Sequence, residues 1–200
     1  DNSGSYRCYN VNKLNGALVK SFDDPAVQWF VDPAVSGGGA MVDLGTHGVN
    51  LLSWFMGAAE EVLAISANLS GNYSHIDDYG VIHIRFRNGV LGNVEAGWIA
   101  EGGMNTLSVF GHNGSIIGTK DDYLDTDHEL RHYTGRYDHK LIEPLPNRPM
   151  RIDRLIAQIK GEVSDRELAE ELDAGWASVS IMEAAKKSID QGGWCPVEDF

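Results

Sequence analysis

Apolar residues recur along this chain with two different periods, and the change of period divides it. From Met41 to Phe55, the residues Val42, Leu44, Val49, Leu52 and Phe55 fall at roughly helical spacing, which predicts a helix stopping at Gly57. Upstream, "GALVKSF" (Gly16–Phe22) predicts a short strand, and Asp23–Gly39, with two prolines and three consecutive glycines, predicts a loop. After Gly57 the period becomes two. "EVLAISANLS" (Glu61–Ser70) reads as a strand. "DYGVIHIRFRNGVLGNVEAGWI" (Asp78–Ile99) predicts a hairpin turning at Asn88-Gly89. Its first strand places Ile82, Ile84 and Phe86 on one face and His83, Arg85 and Arg87 on the other. "TLSVFGHNGSIIGT" (Thr106–Thr119) repeats the device around Asn113-Gly114. The polar stretch Lys120–Pro146 reads as short outer strands with loops. Two helices close the chain, Arg148–Gly161 and Asp165–Gly193. The second has Leu168, Leu172, Trp176, Val179 and Ala184 on one side and Gly192 as its stop. Residues 1–12 are polar and read as a frayed remnant.

This order of elements predicts an α+β fold, an open and predominantly antiparallel sheet with helices on one face. Residues 1–15 are expected to be a remnant or linker and 16–200 one domain. The three helices are needed on the face of Ile82, Ile84 and Phe86. The other face, with Val81, His83, Arg85 and Arg87, is expected to continue through Val94, Ala96 and Trp98 or their neighbours, according to register. Left open, it is a self-complementary surface, which predicts a homodimer or a dimer of dimers.

Composition narrows the partners. A formal net charge of −13 disfavours nucleic acid and anionic membranes. No apolar run approaches the length of a membrane span, and no signal-like segment opens the chain. The two cysteines, Cys8 and Cys195, could meet in space, but nothing in their spacing requires it, and the simplest expectation is a reduced, cytoplasmic protein.

Only one stretch combines chemistry with periodicity. Asp43 and His47 stand at i and i+4 on the predicted helix just past Gly37–Gly39, about 6 Å apart on one face. Such a pair can pass a proton to and from a hydroxyl near neutral pH. Read from the pattern alone, Asp43 is first a residue that stabilises a helix start, with His47 its partner. His128 and His132 have a spacing that could ligate zinc, but their segment lacks the periodicity to bury one face, and no metal site is expected. Trp98 can stack on a sugar, although a core tryptophan is the simpler reading.

The surrounding residues shift the balance. "W-x-x-D-P-x-x-S-G-G-G-A-M-V-D-L-G-T-H-G-V-N-L-L-S-W-F-M-G" (Trp29–Gly57) resembles the substrate-domain signature of the glucose-fructose oxidoreductase, inositol dehydrogenase and rhizopine-catabolism (Gfo/Idh/MocA) family. The resemblance continues through "DDYGVIHIRFRNGVLGNVEAGW", "LSVFGHNGSI" and "SIMEAAKKSIDQGGWCPVE". It implies the C-terminal domain of a two-domain oxidoreductase. In that family an N-terminal Rossmann domain holds NAD or NADP, and hydride passes to or from a hydroxyl-bearing carbon of a sugar, inositol or related compound. It further implies that Asp43 binds substrate hydroxyls, that His47 is the acid/base, and that a lysine of the Rossmann domain completes the set. Where the family often has aspartate three residues after the histidine, this chain has Asn50, a further candidate for the substrate. No G-x-G-x-x-G follows a strand and no Glu-Lys-Pro occurs, so this chain alone is expected to bind neither cofactor tightly and to be inactive. The rival reading is a non-catalytic binding or assembly module that keeps the fold. Asp43 and His47 are expected at one end of the sheet, facing an open cleft.

Overall fold

The computed structural model describes residues 3–9, 25–99, 105–120, 129–135, 137–143 and 151–198. The strands are β1 (Ser3–Tyr9), β2 (Ala59–Ala67), β3 (Tyr79–Phe86), β4 (Leu91–Gly97), β5 (Asn105–Gly111), β6 (Gly114–Lys120), β7 (Glu129–Tyr133), β8 (His139–Leu141) and β9 (Cys195–Pro196). The helices are α1 (Pro33–Ser36), α2 (Thr46–Met56), α3 (Arg151–Ile159) and α4 (Asp165–Gln191). One π-helical turn, Met41–Gly45, leads into α2. The expected strand at Gly16–Phe22 lies outside the described residues.

The described strands form one sheet in the order β8-β7-β6-β5-β1-β4-β3-β2-β9. Every neighbouring pair is antiparallel except β1 with β4. The open, predominantly antiparallel sheet with helices against one face is therefore as the sequence predicts. Both hairpins turn where expected: Phe86 and Val90 close the first around Gly89, whose φ of +84° is the left-handed conformation glycine adopts freely.

The amino-terminal stretch departs from expectation. Ser3–Tyr9 is not frayed but lies mid-sheet, paired in register with Leu91–Gly97 on one side and with β5 on the other. Its residues, SGSYRCY, carry no apolar alternation, so only the two ladders they complete reveal the strand. Its place also settles the cysteines. Cys8 in β1 and Cys195 in β9 are separated by β4, β3 and β2, four strand spacings of about 4.8 Å, well beyond disulfide reach. Cys195 is a buried free thiol.

The core lies between the sheet and helices α2 and α4. Phe86, Ile82, Ile84, Val62 and Val94 from the strands meet Val49 and Leu52 of α2 and Ile181 of α4, each almost wholly buried. Burying each side chain of this kind contributes about 1.5–3 kcal/mol. Register assigns the second face differently from one of the sequence options. Val94 pairs with Ile82, and Ala96 with Gly80, so Val94, Ala96 and Trp98 belong to the covered side. The open face instead runs through Leu63 and Ile65, Val81, His83 and Arg85, then Leu91, Asn93 and Glu95.

Helix α4 also departs from the expected stripe. Leu168, Leu172, Trp176 and Val179 are exposed, and its buried face is Ser178, Ser180, Ile181, Ala184, Ala185 and Ser188. Small residues let the helix lie close to β2, where the Ser188 hydroxyl accepts from the Ala64 amide at 2.9 Å. Their low hydrophobicity is why the pattern favoured the wrong side.

Candidate functional site

The site begins with the backbone that carries it. Gly39 packs so closely on Asp77 that a Cβ there would stand 1.8 Å from the Asp77 carbonyl oxygen. The Asp77 carboxylate then accepts from the Gly39 amide at 2.8 Å and the Met41 amide at 2.9 Å, and its carbonyl accepts from Ala40 at 3.1 Å. One aspartate thus receives the free N–H groups of the helix start, which leave no partner within the helix itself. The glycine run permits that contact. Within the run, the Gly39 amide is taken by this carboxylate and the Gly37 amide by the Pro33 carbonyl at 3.1 Å, so both serve the fold.

From this anchor the π-helical turn delivers Asp43 to the end of the sheet where β4 finishes and β3 begins. Asp43 is half-buried. Its Oδ2 accepts the Trp98 indole N–H at 3.0 Å, and Trp98 is 2% exposed. His47, one turn further, is exposed. No hydrogen bond or ion pair joins Asp43 to His47 among the described residues, so the i, i+4 spacing brings them to neighbouring positions without pairing them. A π turn rotates the positions after it relative to an α-helix, and such turns occur often at functional sites.

Asn50 is placed otherwise. Its side-chain amide donates to the Ala174 carbonyl at 3.3 Å and to the Ser178 hydroxyl at 3.0 Å, tying α2 to α4. Trp98 is enclosed in the core, so it meets the site through its indole nitrogen rather than through an open ring face. His75 holds the Val31 carbonyl at 2.9 Å through Nε2. His132 sits in β7 and His128 lies outside the described residues; no cluster of three His, Cys, Asp or Glu among the described residues could hold a metal ion.

A cavity of about 710 Å³ opens between the end of β2, the turn before α2, and α4, walled by Val42, Thr46, Ile65, Asp77, Met182 and Lys186 among others. Asp43, His47 and Trp98 are not in its wall, so the expected open cleft is not this cavity. The Asp43–His47 face is the better candidate, because it sets a half-buried acid, fixed on Trp98, one turn from an exposed imidazole at the sheet's end. No helix of the described residues is long and apolar enough to cross a membrane.

Missing from the sequence reading were Asp77 and the neighbouring Asp78, whose carboxylate accepts from Leu69 at 2.7 Å and Ser70 at 2.8 Å. The signal available was a pair of acids standing directly before an apolar-alternating strand, a place where polar side chains cap backbone.

Residues 10–117 match the sequence model of the GFO/IDH/MocA C-terminal domain. The chain belongs to the GFO/IDH/MocA family. Solved structures agree in fold. The WlbA dehydrogenase from Bordetella pertussis, in complex with NADH and UDP-GlcNAcA, superposes with a TM-score of 0.73 at 19% identity over 99% of this chain and 55% of that one. An inositol dehydrogenase homolog from Azotobacter vinelandii, complexed with NAD+, gives 0.74 at 17% identity over 97% of this chain and 57% of its own. Levoglucosan dehydrogenase, complexed with NADH and levoglucosan, gives 0.68 at 20% identity over 100% and 59%. This GFO/IDH/MocA chain therefore spans between half and two thirds of the length of these structures. A comparison with curated proteins finds no match.

Proposed function

We propose that this chain is the substrate-binding domain of an NAD(P)-dependent oxidoreductase that transfers hydride to or from a hydroxyl-bearing carbon of a sugar, inositol or related compound. The observation that carries the reading is the Asp43–His47 face: a carboxylate with one oxygen fixed on Trp98, beside an exposed imidazole on the same helix. Asp43 Oδ1 has no partner among the described residues and is available to accept from a substrate hydroxyl. The His47 imidazole takes that kind of proton, or returns it, as the carbon changes oxidation state. We assign the nicotinamide cofactor to another part of the enzyme, since no G-x-G-x-x-G follows a strand in this sequence. The reading carries with it a cytoplasmic, homo-oligomeric enzyme.

The test uses the chain joined to its cofactor-binding domain, with nicotinamide absorbance followed over a panel of sugars and polyols with NAD and NADP. His47→Ala is expected to lower turnover about a hundredfold, the ordinary cost of a lost acid/base. Since His47 is exposed, thermal stability should stay at the parent value. Unchanged turnover removes His47 from the mechanism. The second reading, a non-catalytic module, is favoured by the use of the Gly39 and Met41 amides to bind Asp77 within the fold. Absence of oxidation or reduction of any panel compound, with saturable binding of one of them, would favour it.

A further inference from the structure

We infer that Trp98 is a positioning residue, its indole N–H fixing the Asp43 carboxylate so that one oxygen stays turned toward substrate. This rests on the proposed function, in which Asp43 binds the reacting hydroxyl.

The geometry is over-determined. Trp98 is 2% exposed, so a shift of its ring would have to displace core. Its indole nitrogen is a donor only, and a buried donor of this kind needs an acceptor. That acceptor is Asp43 Oδ2 at 3.0 Å. The Trp98 backbone is fixed as well, since its amide donates to the Asp78 carbonyl at 2.8 Å. Asp78 is 4% exposed and is itself held through both carboxylate oxygens, by the Leu69 and Ser70 amides. On the other side, Asp77 holds the Gly39 and Met41 amides, the root of the turn that carries Asp43.

Both routes to Asp43 therefore start at one dipeptide. Asp77 fixes the backbone beneath the carboxylate, and Asp78, through Trp98, fixes the carboxylate itself. A half-exposed aspartate on a surface turn would otherwise sample several rotamers. Held by one oxygen, it presents the other in one direction, which is the preorganisation a substrate-binding acceptor requires. An indole serves this role without competing for the ligand, because it brings no acceptor and no charge of its own.

The experiment uses the complete oxidoreductase with 15N-labelled tryptophan indoles. The chain has five tryptophans, and the other four, Trp29, Trp54, Trp176 and Trp194, are exposed. Replacing each of those, and every tryptophan of the rest of the enzyme, by Phe assigns the Trp98 resonance by elimination. Its N–H is expected to exchange slowly in the parent, faster in Asp43→Ala, and slowly again in Asp43→Asn, which restores an acceptor. In kinetics, Trp98→Phe keeps an aromatic ring and loses the N–H. It is expected to lower kcat/KM about ten- to hundredfold, the range for a lost hydrogen bond to a charged group. In an Asp43→Ala background the same substitution should change kcat/KM less than twofold, because the residue through which Trp98 acts is gone.

An additive loss in the double variant overturns the proposal, since it assigns Trp98 a general structural role. An indole N–H whose exchange ignores Asp43→Ala overturns it too, and this arm stands even where Trp98→Phe fails to fold. If Asp43→Ala leaves turnover at the parent value while the indole signal still responds, the contact is real but the proposed function fails, and the positioning role with it.

Discussion

Gly39 shows how a single missing side chain builds this site. Its Cβ would lie 1.8 Å from a backbone oxygen, which no rotamer change can relieve. Gly39→Ala must push the helix start away from Asp77 and break the hydrogen bonds to Gly39, Ala40 and Met41. The expected cost is about 2–4 kcal/mol, read as a lower urea midpoint at unchanged slope. Gly37, by contrast, has open space around its Cβ position but a φ of +81°, so alanine there is opposed by backbone strain alone. Gly37→Ala should therefore cost only about 1 kcal/mol. Equal effects at the two positions would show that crowding against Asp77 is not what the glycine run serves.

At the scale of elements, α4 divides into two halves. Its second half is anchored in the core through Ile181, Ala184, Ala185 and Ser188. Its first half is held by polar contacts at its end and with α3, where Arg154 meets Glu171 at 2.7 Å and Gln158 donates to the same carboxylate at 2.6 Å. Ser164 and Glu167 form a reciprocal capping box at its start. Hydrogen bonds from the Ser164 hydroxyl and backbone amide hold the Glu167 pKa below its ordinary 4.5, with Arg154 acting in the same direction. A carboxyl whose folded pKa is depressed stabilises the folded helix start above the ordinary value and loses that contribution as pH falls through the depressed one. Amide protection factors at Arg166–Leu168 should therefore decline as pH drops below 4.5, with those of Ile181–Ser188 unchanged. Glu167→Gln should lower protection at neutral pH and flatten the response; a pH-independent first turn would rule the box out as the cause.

The same elements show what was legible in the sequence. The hairpins were, because alternation and Asn-Gly turns are local signals. The helix from Met41 was too, though not its π turn at Met41–Gly45 nor the long-range Asp77 contacts to residues 39–41 at its start. Ser3–Tyr9 was not, since a strand made of Ser, Gly, Tyr, Arg and Cys is defined only by the ladders on either side. The buried face of α4 was missed because serines and alanines pack by fit rather than by hydrophobicity. Asp43 and His47 stood out by type and spacing, while the Trp98 contact joins positions 55 residues apart and leaves no periodic trace.

At the scale of the whole molecule, one face of the sheet carries no helix among the described residues. Register places Ile65 on β2, Leu91 on β4, Phe110 on β5 and Leu141 on β8 on this face, all exposed. Between them stand polar and charged groups such as His83, Arg85 and Glu95, with Tyr79 donating to Glu95 at 2.7 Å. Apolar positions spread over several strands and separated by paired polar ones suit burial against a second copy better than permanent contact with water. Charge opposes that pairing. Each chain carries −13, so two copies repel, and the repulsion is screened within about 10 Å at 0.1 M salt. A dimer built on this face is therefore expected to tighten as salt rises, the opposite of one held by interchain ion pairs. Light scattering at micromolar concentration should give at least twice the chain mass in moderate salt. The double substitution Leu91→Glu with Phe110→Glu, at register positions on either side of Ser3 in β1, should return the mass to one chain with folding intact, because both side chains are exposed in the single chain. An unchanged mass in that variant would move the interface off the open sheet, and a monomer at every salt concentration would mean that the face meets something other than its own copy.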